Sequence, residues 1–448
     1  MEWLAALAVL TVTGTFGMAA RAFRHSQRRL RREALQRAVS ACRLDGMEPG
    51  TAGVARGRRG GLRIRVESAR TAAFKCLRVT IDGVVPTVQA VSTHRRWSDA
   101  VFGSGDVEVG DPYFDEHVVL LGPPATVRGL FTADVRALVR EVFGWDARIR
   151  LGGGSIVAEF PETKGSFGPP GPRVRALVDL AERLEPGPSD GQRLAAIVRG
   201  DPLSTVRVTA LETLLAEDPE NDLTRAVLRD AARDAAPAVR LKAAQALGDE
   251  GIPVLHELAA TSGVEDAYAS AAISALGDRL PSDRARQMLA AAEADLRVPR
   301  ARALLQLLAA RGPEEVELVT SLLARRADSP VSAFVASSSA LAAAAVEALV
   351  AAEVPSAETH LVAALASSAP GVAQAAAFGL GQIGTALAVP PLREAERQRG
   401  DLRSQARQSI AAIQARLTGA TPGQLSLTGG AEGQVSVVDS ADGRVSLD

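Results

Sequence analysis

DPLSTVRVTALETLL (201–215) and DAAPAVRLKAAQALG (234–248) decide the fold. Val206-Arg207 and Val239-Arg240 fall 33 residues apart, and apolar residues recur at helical spacing in both. The same phrase returns along the chain. Leu-Gly points stand at Leu247-Gly248, Leu276-Gly277 and Leu380-Gly381, with partners at Leu214, Leu308, Leu349 and Ile413. Their successive intervals are 33, 29, 32, 41, 31 and 33 residues. Each period holds one helix, a short turn and a second helix, as in RLKAAQALG followed by GIPVLHELAA. A glycine after the first helix suits a left-handed cap. No single hairpin of this kind buries its apolar face alone. Stacking does, and the expected architecture for residues 174–418 is an α-solenoid. Small Ala side chains let such helices approach closely, so few aromatics are needed.

Working outward, the strand signals lie upstream. LRIRVES (62–68) and KCLRVTIDG (75–83) alternate as strands do, and RIRLGGGSIVAEF (148–160) reads as a hairpin around Gly152–Gly154. DVEVG, EHVVLLG and ATVRGL are read as further short strands, and TADVRALVREVF as one helix with Thr132 at its N-cap. Ten of the 16 aromatic residues lie between positions 44 and 170. Residues 50–163 are therefore expected to form a small α+β domain, an antiparallel sheet with one helix. A Pro/Gly-rich stretch at 164–173 is read as the linker to the solenoid.

The chain opens differently. Trp3–Ala20 carries no charge and is followed by Arg21, Arg24, Arg28, Arg29, Arg31 and Arg32. That order is the reverse of a secretory signal. Residues 1–23 are expected to be a transmembrane anchor, with 24–48 an Arg-rich juxtamembrane helix. The positive-inside rule then puts the N-terminus out and the bulk of the chain in the cytoplasm. Those six arginines are the candidate contacts for anionic lipid. No aromatic platform interleaves them, so nucleic acid is not expected as a partner. The last segment, 419–448, loses helical pattern and repeats every ten residues: GQLSL (423–427), GQVSV (433–437), GRVSL (443–447). It is read as a disordered tail. Leu425, Leu427, Val435, Val437, Val445 and Leu447 are its candidates for adding a strand to a partner's sheet edge.

Two resemblances bear on these readings. The Asp-Pro or Ala-Pro start, Val-Arg, Ala-Ala, Leu-Gly and the second-helix phrase Ala-Val-Pro-x-Leu resemble HEAT-like repeats of the phycobilisome-lyase type, most strongly over 201–260 and 369–417. That resemblance implies a solenoid of helical hairpins with a groove for a protein or peptide. Residues 105–160, with Gly110-Asp111 and Phe114-Asp115, resemble an uncharacterised domain of membrane-anchored bacterial proteins. That domain carries no activity to transfer; the expected place at the bacterial inner membrane rests on the anchor.

The expected function is a membrane-anchored, cytoplasm-facing protein–protein interaction scaffold. The alternative, by repeat-family analogy, is a lyase-like or chaperone-like activity on a chromophore or modified protein. Arg207 and Arg240 are the candidate groove residues. No catalytic, metal or cofactor set is expected. Cys42 and Cys76 are too few for a metal site, and Asp111, Asp115, Glu116 and His117 match no established ligand spacing. GLGQIG (379–384) matches the dinucleotide fingerprint, but that motif works only after a strand, and a helix precedes it here. The net charge of −1 is a sum over parts. Residues 21–43 hold eight Arg and one Glu, while the tail is acidic.

Overall fold

The protein is described from a computed structural model, covering residues 40, 45–48, 54–70, 75–92, 105–145, 147–161, 170–261, 265–295, 297–312, 314–320, 335–352, 357–367, 370–416, 425–427 and 435–437. The chain divides into two compact units, Met1–Ala246 and Leu247–Asp448.

The first unit is built on one antiparallel sheet. Its strands are β1 (Asp45–Glu48), β2 (Val54–Arg59), β3 (Leu62–Arg70), β4 (Lys75–Asp82), β5 (Gln89–Ser92), β6 (Val118–Leu121), β7 (Arg148–Gly152) and β8 (Ser155–Pro161). They lie in the order β1-β2-β3-β4-β8-β7-β5-β6. Alternation sets the register. Leu62, Ile64 and Val66 of β3 are buried while Arg63 and Arg65 between them face water. Ile64 opposes Ile81, Val66 opposes Val79, and Ile81 in turn opposes Ile156 of β8. A one-residue slip would exchange these for the arginines.

Helices α1 (Pro112–His117), α2 (Pro124–Leu130) and α3 (Ala133–Phe143) lie between β5 and β7 in sequence, and α4 (Pro170–Arg183) follows β8. ATVRGL is thus in helix α2 rather than a strand. Pro123-Pro124 explains the difference: two successive prolines fix φ and withhold amide donors, which suits a helix start and not a ladder. DVEVG contributes only a bridge, Asp106 to Leu121. Helix α4 is also not the start of the solenoid. Val174, Leu177, Val178, Leu180, Ala181 and Leu184 join Leu77, Val79, Ile81 and Phe160 in a single buried core. Val85 donates to Leu184 O at 2.9 Å, and Arg59 bonds Glu182. The sheet module therefore extends through residue 184. The first repeat helices, α5 (Asp190–Gly200), α6 (Ser204–Glu217), α7 (Asp222–Ala231) and α8 (Pro237–Leu247), follow it.

The second unit is a stack of helix pairs, a HEAT-like solenoid: α9 (Ile252–Ala260), α10 (Asp266–Leu276), α11 (Ser282–Ala294), α12 (Val298–Ala309), α13 (Val335–Ala351), α14 (Ala357–Ala364), α15 (Pro370–Ile383), α16 (Val389–Gln398) and α17 (Arg403–Arg416). Helices α10, α12, α13, α15 and α17 pack directly on one another in that order, and α9, α11, α14 and α16 each pack as the hairpin partner of a neighbour. Its core is Ala and Leu: Ala344, Ala345, Ala348, Ala373, Ala376 and Ala377 are fully buried between Leu341, Leu349 and Leu380. Gly248 and Gly277 take positive φ, +60° and +51°, as helix-ending glycines should. Gly381 does not. It lies inside α15.

The transmembrane element of the expected fold is withdrawn. Among the described residues no helix is long and apolar enough to cross a membrane. The longest, α13, has 17 residues, or roughly 26 Å, against a ~30 Å hydrocarbon layer, and its apolar faces are spent on α12 and α15. The inner-membrane placement with the N-terminus out rested on that helix and is withdrawn with it. Trp3–Ala20 and the arginines Arg21, Arg24, Arg28, Arg29, Arg31 and Arg32 lie outside the described residues. In the tail, β9 (Leu425–Leu427) and β10 (Val435–Val437) pair with each other as a two-stranded antiparallel sheet.

Candidate functional site

The most distinctive local sequence, GDPYFDEH (110–117), builds a buried clasp rather than a ligand set. Asp111 is the N-cap of α1, its Oδ1 accepting from Phe114 N at 3.2 Å, with Pro112 at the first helical position. Its other oxygen accepts from Arg136 Nε at 2.9 Å. Arg136, on α3, is only 2% exposed. Its Nη1 donates to Phe131 O and to Asp201 Oδ2, both at 2.9 Å, and its Nη2 donates to Asp201 Oδ1 at 3.1 Å. Asp201 stands between α5 and α6 and also accepts from Leu203 N. Burial opposes the charge on Arg136, but the Asp201 and Asp111 carboxylates outweigh it and hold the guanidinium above its ordinary range. One cation with two carboxylates thus ties the sheet module to the first repeat helices.

The contacts around the clasp are equally close. Gly110 has φ +88°, and a Cβ there would stand 2.5 Å from Thr209 Oγ1 and 3.0 Å from Thr205 O of α6. Thr126 donates to Asp190 at 2.6 Å, and Arg128 to Thr213 Oγ1 at 2.9 Å. Asp115 turns inward to accept from Val109 N and Gly110 N at 3.1 and 3.0 Å. Burial raises its pKa despite those two amides. Asp111 and Asp115 are therefore spent on the fold. Among the described residues no group of three or more His, Cys, Asp or Glu is placed to hold a metal ion. Cys76 is a buried free thiol, pushed up chiefly by burial and then by Glu159. Tyr113 faces outward, as Pro112 and Glu116 do. It is 59% exposed, stacks on His117 with ring centroids 4.5 Å apart, and carries Arg140 over its ring at 5.5 Å.

The arginines of the repeats serve neighbouring repeats, some the next one along and some the one before. Arg207, a candidate groove residue, forks onto Asp234 at 2.9 and 2.7 Å and donates to Asp201 O at 2.7 Å. Both side chains of that pair are nearly covered, 12% and 13% exposed. Arg240 is half-buried and has polar partners of its own. In the second unit Arg311 donates to Gly277 O, Arg399 to Leu365 O and Ser367 O, and Arg416 to Gly381 O and Gly384 O. These carbonyls belong to helix C-termini, where four C=O groups lack partners inside the helix and a cation meets the negative end of the dipole. Arg286 forks onto Glu315 at 2.9 and 2.6 Å.

GLGQIG is explained by packing. A Cβ on Gly379 would sit 2.8 Å from Val346 of α13, and one on Gly381 would sit 2.8–3.0 Å from Ser409 of α17, including its Cα. These glycines let α15 approach the helix on each side. What that layer leaves uncovered is nearly neutral. Gln374, Phe378 and Gln382 form an exposed stripe on α15 at four-residue spacing, with Phe378 50% exposed. Gln306 of α12 and Gln408 and Ala411 of α17 are exposed on the flanking helices. Arg302 and Glu347 pair across α12 and α13 at 3.1 Å. His256 and His360 sit on α9 and α14.

No family model matches the chain. No curated protein matches it either. Among solved structures, human deoxyhypusine hydroxylase in complex with glycerol is similar at 15% identity, over 50% of this chain and 96% of that one, with a TM-score of 0.21. A likeness at that level carries no argument about this chain, and the HEAT-like reading stands on the helix pairs themselves.

Sequence reasoning missed Arg136 and Asp201, 65 residues apart. The signal was faint: an arginine on the apolar side of the amphipathic segment TADVRALVREVF, four residues behind Thr132 and three ahead of Val139.

Proposed function

We propose that this chain is a protein-interaction scaffold that binds a protein or peptide along the closely stacked helix layer of its second unit, centred on Phe378. The repeats are assigned to the HEAT-like, phycobilisome-lyase type on the phrases Val-Arg, Ala-Ala, Leu-Gly and Ala-Val-Pro-x-Leu. The single observation that carries the binding reading is the half-exposed Phe378 between Gln374 and Gln382, on a strip where Arg302 and Glu347 neutralise each other. An isolated aromatic framed by amide side chains offers apolar area with adaptable hydrogen bonds, the composition of an interface anchor. The layer formed by α10, α12, α13, α15 and α17 packs helix on helix while the alternate helices are set further apart. Such a closely packed layer is a continuous surface that a stack of helix pairs offers to an extended partner. Arg207 is committed to Asp234, so an acidic ligand held by that arginine is not favoured.

The test is site-specific photo-crosslinking in cells from position 378 and, as control, from His360 on the other layer. Replacing a central aromatic anchor costs about 2 kcal/mol or more, close to 30-fold in affinity. Phe378→Glu is expected to abolish the partners captured from a second crosslinker at Gln382. Capture of the same partners in equal amount from the Phe378→Glu chain, or equally from position 360, overturns the reading.

A further inference from the structure

The outward face of the sheet carries a second inference, independent of Phe378. Ala55 of β2 and Leu62, Ile64 and Val66 of β3 are buried in one core with Val174 and Leu177 of α4, and the residues between them point the other way. Arg56 and Arg58 of β2 and Arg63 and Arg65 of β3 stand on that outward face, and all four are exposed. The register sets Arg56 directly opposite Arg65 and Arg58 directly opposite Arg63. Opposed residues lie about 5 Å apart and residues i and i+2 of one strand about 7 Å apart, so the four arginines rise from a near-square of that size. Like charges directly opposite each other destabilise a sheet. We propose that this square docks an extended acidic segment of a partner protein, one rich in Asp and Glu.

Charge and spacing select that occupant. Among the described side chains, Arg65 is the one arginine of the four with an ion pair, to Glu67. The carboxylates within the face are already engaged. Arg78 donates to Glu159 at 2.8 and 3.0 Å and reaches Glu67 at 3.5 Å. Asp82 stands opposite Arg63, and at the outer edge β1 sets Asp45 opposite Arg58 and Glu48 opposite Arg56. With Arg78 on β4 and Arg148 and Arg150 on β7, the described strands bring seven arginines to this face against those five acids, a positive surplus. A guanidinium fork takes a carboxylate through two parallel hydrogen bonds. An extended segment repeats its side chains on one side every ~7 Å, which is the spacing from Arg63 to Arg65 and from Arg56 to Arg58. The described strands put no aromatic ring on this face for bases to stack on, which disfavours a single nucleic-acid strand. A sheet of eight strands is too broad for the groove of a duplex.

Fluorescence anisotropy of the full chain with a labelled oligo-glutamate, and with an oligouridylate of equal charge, tests this at low salt, where surface charges are least screened. The chain carries Gln in place of Arg21, Arg24, Arg28, Arg29, Arg31 and Arg32, so that block does not compete. Oligo-glutamate is expected to bind, and Arg56→Gln/Arg63→Gln to weaken it about tenfold. Arg199→Gln/Arg225→Gln removes the same charge from exposed ion pairs elsewhere in the unit and is expected to leave binding unchanged. The first variant breaks both like-charge pairs, so its urea midpoint is expected to be no lower than that of the parent, and its loss of binding is not loss of fold. Absence of oligo-glutamate binding at low salt overturns the proposal. So does undiminished binding by the Arg56→Gln/Arg63→Gln chain, or an equal loss in the Arg199→Gln/Arg225→Gln chain. A lowered urea midpoint overturns the like-charge argument and the proposal with it. Oligouridylate bound more tightly than oligo-glutamate overturns it in favour of nucleic acid.

Discussion

Arg136→Ala should unfasten the sheet module from the first repeat. The substitution removes a guanidinium that is 2% exposed and leaves two carboxylates in place, Asp201 at 1% and Asp111 at 8% side-chain exposure. Four hydrogen bonds disappear, three of them to carboxylates. Removing one partner of a buried ion pair costs about 3–5 kcal/mol, because the remaining charge stays buried without its counter-ion. For a unit of this size, ~1 kcal/mol moves the melting temperature by about 2–4 °C, so a fall of roughly 6–20 °C is expected. The assay is thermal and urea unfolding of the full chain followed by Trp145 fluorescence, with Trp3 and Trp97 replaced by Phe. Trp145 packs near Phe160 and Arg173 of the module. Arg136→Met combined with Asp111→Asn and Asp201→Asn removes all three charges. The two Asn side chains keep their acceptance from Phe114 N and Leu203 N. That triple variant should recover most of the loss, since a buried ion cluster is often replaceable by neutral groups of similar volume. A loss below about 1 kcal/mol for Arg136→Ala, or a triple variant no better than the single one, would refute the argument that this cluster fastens the module.

Two further outcomes follow from the second unit. Gly381→Ala should lower the urea midpoint of that unit by the equivalent of about 1–2 kcal/mol, because the new Cβ meets Ser409 at 2.8–3.0 Å. Helix propensity alone predicts the opposite sign by ~1 kcal/mol, so a stabilised Gly381→Ala chain would defeat the packing explanation. Glu315 is held below the ordinary glutamate range, first by its hydrogen bonds from Arg286. A depressed carboxylate stabilises the fold above its unfolded value, about 4.3, and loses that contribution as pH falls through the folded value. Urea midpoints of the second unit should therefore drop between pH 5 and pH 3 more steeply in the wild type than in Glu315→Gln, and parallel slopes would count against it.

Much of the architecture is written locally. Helix phrases of period ~33, alternating LRIRVES and the glycine-centred hairpin at 152–154 each depend on residues near in sequence, where 3.6- and 2-residue periods and turn glycines act directly. That GLGQIG belongs to a helix and does not follow a strand was also legible, from the helical spacing before it. The reason for those glycines was not. They answer to Val346 and Ser409, some 30 residues away on either side. ATVRGL was misread because its apolar pattern is too short to separate strand from helix, and the proline pair before it decides.

The sequence by itself determined the helix pairs, most strands of the sheet, the repeat and the segregation of aromatics into the sheet module. Only the tertiary structure decided where one part ends and the next begins. Helix α4 has the same amphipathic pattern as a repeat helix, yet its Val174, Leu177 and Leu180 are buried with β4 and β8. Only the tertiary structure, too, turned Asp111, Arg136 and Asp201 into one site. A buried charge is stable when its counter-charges arrive from other elements, and no local pattern records which elements those will be.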